Sequence, residues 1–285
     1  MTSTRPATDL SDSSWSCDRI LVATDGSPPS LSAVAWAARI AEEIPASLVV
    51  VHAYDVESDT GAPSEAEDAA AQARLARWCA DHGASGFDMG CTARPGDPRS
   101  VLRDSIGLER PGLVVVGTRG GGGFPGLALG SVTEWLTQAG TFPLAVVPQP
   151  GHRSGGPILV GVDGSEHSGL ALHWAIGLAG RLRRPVEAVY AEPWPESGGV
   201  RSGLDAVRGE IERARPRATA LHVALDLHIH SDHPVEALAT RARNEDTEAI
   251  VVGARGHGQF GELTIGRVPR QLLRSSERPV IIIAS

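Results

Sequence analysis

The chain has 285 residues, 41% of them hydrophobic, and a formal net charge of −8, which is room for two domains that each bury a core. All 26 basic residues are arginine, so a Walker A lysine and Schiff-base chemistry are excluded. Residues 1–150 carry 18 acidic and 10 basic side chains and residues 151–285 carry 16 of each, so neither half has the basic excess of a nucleic-acid binder.

Residues 1–17 are polar, hold no apolar run and read as a disordered tail. No stretch reads as a signal peptide or a membrane span. Cys17, Cys79 and Cys91 lack CxxC spacing, which fits a reducing cytoplasm better than a disulfide framework or a zinc site. A first domain over 18–149 is expected to place strands near 19–24, 47–54, 87–93, 113–117 and 144–148. Helices are expected near 28–43, 64–82, 97–107 and 131–140, the first marked by an apolar stripe of Leu31, Val34, Ala35, Ala38 and Ala41. Trp36 reads as core.

Two punctuated stretches follow strand signals. Ile20 to Ala23 runs into Asp25-Gly26-Ser27, turn chemistry that either caps the next helix or offers a carboxylate to a ligand. Leu113 to Val116 runs into Gly117-Thr118-Arg119-Gly120, and Gly130-Ser131 opens the helix beyond. Strand, glycine loop, helix is a context for anion binding, because glycine lets backbone N–H groups approach a polyphosphate and the helix start adds unpaired donors. The competing reading is a flexible connector, since Gly120 to Gly123 is an unbroken glycine run.

A Pro/Gly/Ser-rich stretch from Pro148 to Pro157, with its linker proper at 150–156, leads into a second domain over 157–285 that repeats the first. Asp163-Gly164-Ser165 and Trp174 lie 138 residues after their counterparts; Gly253, Phe260, Gly266 and Pro279 lie 136 after Gly117, Phe124, Gly130 and Pro143. A connector has no reason to keep that register, which favours binding. Strands are expected near 157–162, 185–191, 221–230, 249–253 and 279–283. The fold class is therefore α/β, two tandem doubly wound five-stranded parallel sheets, with ligands beyond the carboxyl ends of the strands at the switch point.

From Arg19 to Ser285 the sequence resembles a tandem member of the universal stress protein family. The resemblance rests on Gly117, Gly120, Gly130 and Ser131 in the family's nucleotide-binding spacing, with an early Asp-Gly-Ser and a final proline-led strand. It implies an adenine-nucleotide alpha-hydrolase-like fold and ATP as ligand, and the acidic first half, which would repel a polyphosphate, adds Mg²⁺ as the expected compensation. It further implies an internal pseudo-dimer through Pro143–Val147 and Pro279–Ile283, with a homodimer as a further option. The implied first site comprises Ala23, Asp25, Ala53, Gly117, Arg119, Gly120, Gly123, Gly130, Ser131 and Val132. The implied second comprises Gly161, Asp163, Ala191, Gly253, Arg255, Gly256, Gly266, Arg267 and Val268.

The second half departs from the pattern: Arg267 stands where the first has Ser131, and Glu262 where it has Gly126. An arginine there either grips phosphates or fills their space, and the expectation is a tight first site and a weaker or altered second. His228, His230 and His233, near Asp226 and Asp232, have no first-half counterpart and read as a polar strand end and loop, not a metal site. The expected function is a cytoplasmic, ATP-binding, nucleotide-dependent regulator in stress response with little or no catalysis. A slow Mg²⁺-dependent ATPase and an AMP or cyclic AMP module remain open.

Overall fold

The computed structural model describes residues 17–56, 63–82, 89–121, 129–149, 155–192, 203–244, 246–256 and 265–284. The expected tail up to residue 16, most of the expected linker, Gly123, Phe124, Gly126, Phe260 and Glu262 lie outside the described residues. The first half runs β1 (Arg19–Ala23), α1 (Pro28–Glu43), β2 (Ser47–Tyr54), α2 (Glu65–His82), β3 (Met89–Pro95), α3 (Pro98–Glu109), β4 (Leu113–Gly117), α4 (Ser131–Ala139) and β5 (Leu144–Val147). The second repeats it as β6 (Ile158–Gly161), α5 (Glu166–Leu182), β7 (Val186–Ala191), α6 (Leu204–Ala220), β8 (Leu225–His230), α7 (Pro234–Asn244), β9 (Ala249–Gly253), α8 (Arg267–Ser275) and β10 (Val280–Ile283).

All ten strands form one sheet in the order β3-β2-β1-β4-β5-β10-β9-β6-β7-β8. Pairing is parallel within each half, and β5 meets β10 antiparallel. In that central pair Ile281 faces Ala145, while Val280 faces Val146 and Ile282 faces Leu144. Ile281 and Ala145 occupy the same position of the two repeats, so the pseudo-two-fold axis passes through this residue pair. The two last strands thus join the halves into one continuous sheet.

The central strands β4, β5, β9 and β10 are buried at every residue, as parallel strands covered on both faces must be. One face packs α1, α2, α5 and α6 around Ile20, Trp36, Ile40, Ile158, Trp174 and Ile176. The other packs α3, α4, α7 and α8 around Leu21, Leu102, Leu136, Leu159, Leu238 and Leu272. Cys17, placed with the tail by the sequence, is 5% exposed and belongs to the first cluster.

Helix starts follow local chemistry. Asp97 accepts from the N–H groups of Arg99 and Ser100, both at 3.1 Å, with Pro98 inside the first turn. One expected strand starts late: β8 begins at Leu225, not 221. Leu221 and His222 close α6 instead, with His222 left-handed at φ 55° and the Val223 N–H returning to Ala218 O at 2.8 Å.

Candidate functional site

In each half the chain leaves its first strand, turns through Asp-Gly-Ser and enters a helix. Gly26 and Gly164 adopt φ 77° and 85°, the left-handed turn that a side chain disfavours. Ser27 and Ser165 are the N-caps. Asp25 Oδ1 accepts from the Ser27 N–H at 3.0 Å and from Ser27 Oγ at 2.5 Å, and Oδ2 accepts from the Gly121 N–H at 2.7 Å. The carboxylate therefore ties the end of β1 to the glycine loop after β4. Burial works to raise its pKa, but the donors from Ser27, Gly121 and Ser30 outweigh burial and hold it below the usual carboxylate value. Asp163 repeats the turn, accepting from the Ser165 N–H at 3.0 Å.

The glycines of the loop have packing reasons of their own. A Cβ on Gly117 would lie 2.7 Å from the carbonyl oxygen of Pro29, and one on Gly253 would lie 2.7 Å from the His167 backbone, so each lets the first turn of a helix cross the strand end. A Cβ on Gly120 or Gly256 would run into the carboxylate of Asp25 or Asp163. Gly130 is pinned, its N–H bonded to Thr118 O at 2.8 Å and its own position 3.2 Å from Arg119 Cα if a Cβ were added.

The donors that remain sit one step further on. Gly130 is the N-cap of α4 and offers no side chain, and the first intrahelical bond runs from the Glu134 N–H to Gly130 O at 2.9 Å. The N–H groups of Ser131, Val132 and Thr133 therefore have no acceptor within the helix. Thr133 uses its hydroxyl to hold Gly117 O at 2.8 Å. All three residues line a cavity of about 420 Å³, together with the apolar Val51, Ala53 and Leu102. The size is that of a small-molecule site.

A second cavity, of about 910 Å³, opens at the matching place in the other half. Val189, Ala191, Pro234 and Leu238 take the places of Val51, Ala53, Pro98 and Leu102. Of the sequence candidates, Ala23, Asp25, Ala53, Gly117, Arg119, Gly120, Gly130, Ser131 and Val132 all line the first cavity. Gly161, Asp163, Ala191, Gly253, Arg255, Gly256, Gly266, Arg267 and Val268 all line the second. Arg267 does not fill its cavity, which is the larger of the two.

Sequence reasoning missed the Pro98/Leu102 and Pro234/Leu238 walls, although their common 136-residue offset was a signal for them. It also missed Glu210. This side chain is 2% exposed and accepts from Ser168 Oγ at 3.1 and 2.9 Å, and Ser168 lines the second cavity. Burial pushes its pKa up to about 7, opposed by the Ser168 hydroxyl and reinforced by the Asp163 charge.

His228 and His230 lie on β8, and among the described residues no three His, Cys, Asp or Glu side chains gather as a metal cluster. Among the same residues no helix is long and apolar enough to cross a membrane.

A family model, described as the universal stress protein family, matches residues 17–148 and again 156–284. A universal stress protein of Mycobacterium tuberculosis H37Rv is 29% identical over 92% of this chain and 95% of its own length. One from Mycobacterium bovis is 33% identical over 92% and 96%. A crystal structure of a universal stress protein from Archaeoglobus fulgidus DSM 4304 superposes with a TM-score of 0.69 at 19% identity, covering 94% of this chain and 98% of that one. Two shorter universal stress protein structures each match 45% of this chain. One, in complex with cAMP, has a TM-score of 0.37 at 24% identity over 96% of its own length. The other, from A. fulgidus in complex with dAMP, has 0.38 at 23% over 98%.

Proposed function

Because the chain belongs to the universal stress protein family, as two tandem domains, we propose that it is an ATP-binding regulator of the cytoplasmic stress response whose nucleotide occupancy sets its conformation or partner choice. The observation that carries this reading is a helix start whose first three N–H groups, at Ser131, Val132 and Thr133, have no backbone acceptor among the described residues, on residues that line a cavity together with apolar side chains. Such donors suit phosphate oxygens, and the wall of Val51, Ala53 and Leu102 suits a flat base. Asp25, close by, suits the ribose hydroxyls as an acceptor.

Magnesium fits only as part of the nucleotide. Asp25 is the one carboxylate lining the first cavity among the described residues, and its oxygens already accept three hydrogen bonds. An ion would be held chiefly by phosphates and water, where it neutralises charge. The protein's own part is to bind and orient the nucleotide, with little or no catalysis.

Native mass spectrometry of the purified chain, followed by calorimetric titration with ATP, AMP and cyclic AMP, tests the reading. ATP retained on purification and bound ahead of the other two is the expected result. Equal affinity for AMP overturns the choice of ATP in favour of an AMP module. Phosphate release well above that of Gly120→Ala identifies a slow ATPase instead.

A further inference from the structure

The two cavities share the wall made by Val51, Ala53, Pro98 and Leu102 in one and by Val189, Ala191, Pro234 and Leu238 in the other. The second is lined in addition by Tyr190, Glu192, Gly203 and Ala206, and the two differ again where the last helix of each half begins. In the first, the N–H groups of three successive residues and the Ser131 hydroxyl are available there, and Arg119 is the one cationic side chain among the described lining residues. In the second, Pro269 takes the place of Thr133 and carries no N–H, so one backbone donor is gone. Arg267 replaces Ser131, and Arg270 replaces Glu134, a residue that does not line the first cavity. Arg255, Arg267 and Arg270 all line the second cavity, with Arg267 and Arg270 one helical turn apart on α8. The carboxylates on the same cavity, Asp163 and Glu192, follow the ends of β6 and β7; Glu192 accepts the Tyr190 hydroxyl.

We propose that this second cavity selects among adenine nucleotides by phosphate charge, binding polyphosphate forms through Arg255, Arg267 and Arg270 in preference to monophosphates. The inference rests on the nucleotide reading above and gives the altered second site a direction. Neutral N–H and hydroxyl donors distinguish one phosphate from three only weakly. Guanidinium forks gain with each added phosphate charge, because charge-assisted bonds are roughly twice as strong as neutral ones. The cavity volume of about 910 Å³ leaves space for the longer chain. An arginine that grips, and not one that blocks, is what this space allows.

Hydrogen-exchange mass spectrometry of the full chain reads the two sites separately, through protection of peptides covering 131–139 and 267–275. AMP and ATP are titrated without magnesium, in chelator. The expected result is that ATP protects 267–275 at a concentration about tenfold or more below AMP, with a smaller ratio at 131–139. Raising salt should narrow the ratio at 267–275. The pair Arg267→Gln with Arg270→Gln, whose side chains keep length and lose charge, should bring it to the value at 131–139, and Ser131→Arg should enlarge it in the first half. An equal ratio at both peptides, or no change in the double variant, overturns the inference while leaving nucleotide binding intact. Protection of neither peptide by either nucleotide overturns the nucleotide reading as well.

Discussion

Trp36 Nε1 donates a hydrogen bond to Glu248 Oε1 at 2.9 Å, from a helix of the first domain to the foot of β9 in the second. Glu248 is fully buried, is also held by Arg39, and has Arg184 Nη2 4.0 Å from its other oxygen; Arg184 in turn meets Glu43 at 2.6 Å. The repeat breaks here. Trp174 is the counterpart of Trp36, its buried Nε1 has no hydrogen-bond partner among the described residues, and the position matching Glu248 is Gly112. Trp36→Phe removes a bond to a buried charge and should cost about 2 kcal/mol, whereas Trp174→Phe should stay within about 1 kcal/mol of neutral. Urea unfolding of the two variants checks it. Equal losses would mean that the indole bond to Glu248 contributes nothing to holding the domains together.

Gly117→Ala places a methyl 2.7 Å from the Pro29 carbonyl oxygen, a contact that backbone must move to relieve. Loss of about 1–3 kcal/mol is expected, as for other overpacked positions. Gly107→Ala is the control: its Cβ meets nothing within 4 Å and it lies inside α3, so a gain of up to about 1 kcal/mol is expected. Thermal melts of both variants give the comparison, and a neutral Gly117→Ala would remove the packing reason for that glycine.

Much of this was legible in the sequence because the repeat wrote it twice. The apolar runs at Leu113–Val116 and Ala249–Val252 are β4 and β9, and Asp-Gly-Ser lies where a first strand must turn. The glycines of the loop after β4 were legible as a pattern but not in their cause. That Gly120 must leave room for the Asp25 carboxylate depends on two strands brought together from opposite ends of a domain. Glu210 was illegible for the same reason, without even a pattern to mark it. Its environment is made by α6 lying over the Asp163-Gly164-Ser165 turn, close enough that a Cβ on Gly164 would be 2.7 Å from Ala206 Cβ, and nothing local in α6 announces it.

Glu210 gives the fold a pH dependence. Its pKa is raised from 4.5 to about 7 on folding, so the folded state binds the proton more tightly. This contribution is fully present below the unfolded value and is lost as pH rises through the window from 4.5 to about 7. The full difference is on the order of 3 kcal/mol. Glu210→Gln, which keeps the shape without the charge, should flatten that part of the profile and make the variant more stable than the parent at alkaline pH. Urea midpoints across the window test this, and parallel profiles for parent and variant would place the titration elsewhere.

The three cysteines should differ in reactivity. Burial pushes the Cys17 thiol up to about 12, only partly offset by the Arg181 charge. A hydrogen bond to the Cys91 sulfur, with burial behind it, pushes the Cys79 thiol well above its usual pKa, and the side chain is 1% exposed. The same bond stabilises a Cys91 thiolate, whose pKa is lowered against the opposing effect of burial, and Cys91 is only partly buried at the edge strand β3. Since the thiolate is the nucleophile, iodoacetamide at mildly alkaline pH should modify Cys91 first, leaving Cys17 and Cys79 until denaturant is added. Peptide mapping by mass spectrometry identifies the labelled site, and earlier labelling of Cys79 would show that the hydrogen bond runs the other way. Cys79→Ala removes the donor, and should therefore slow alkylation of Cys91 even though it opens space beside it.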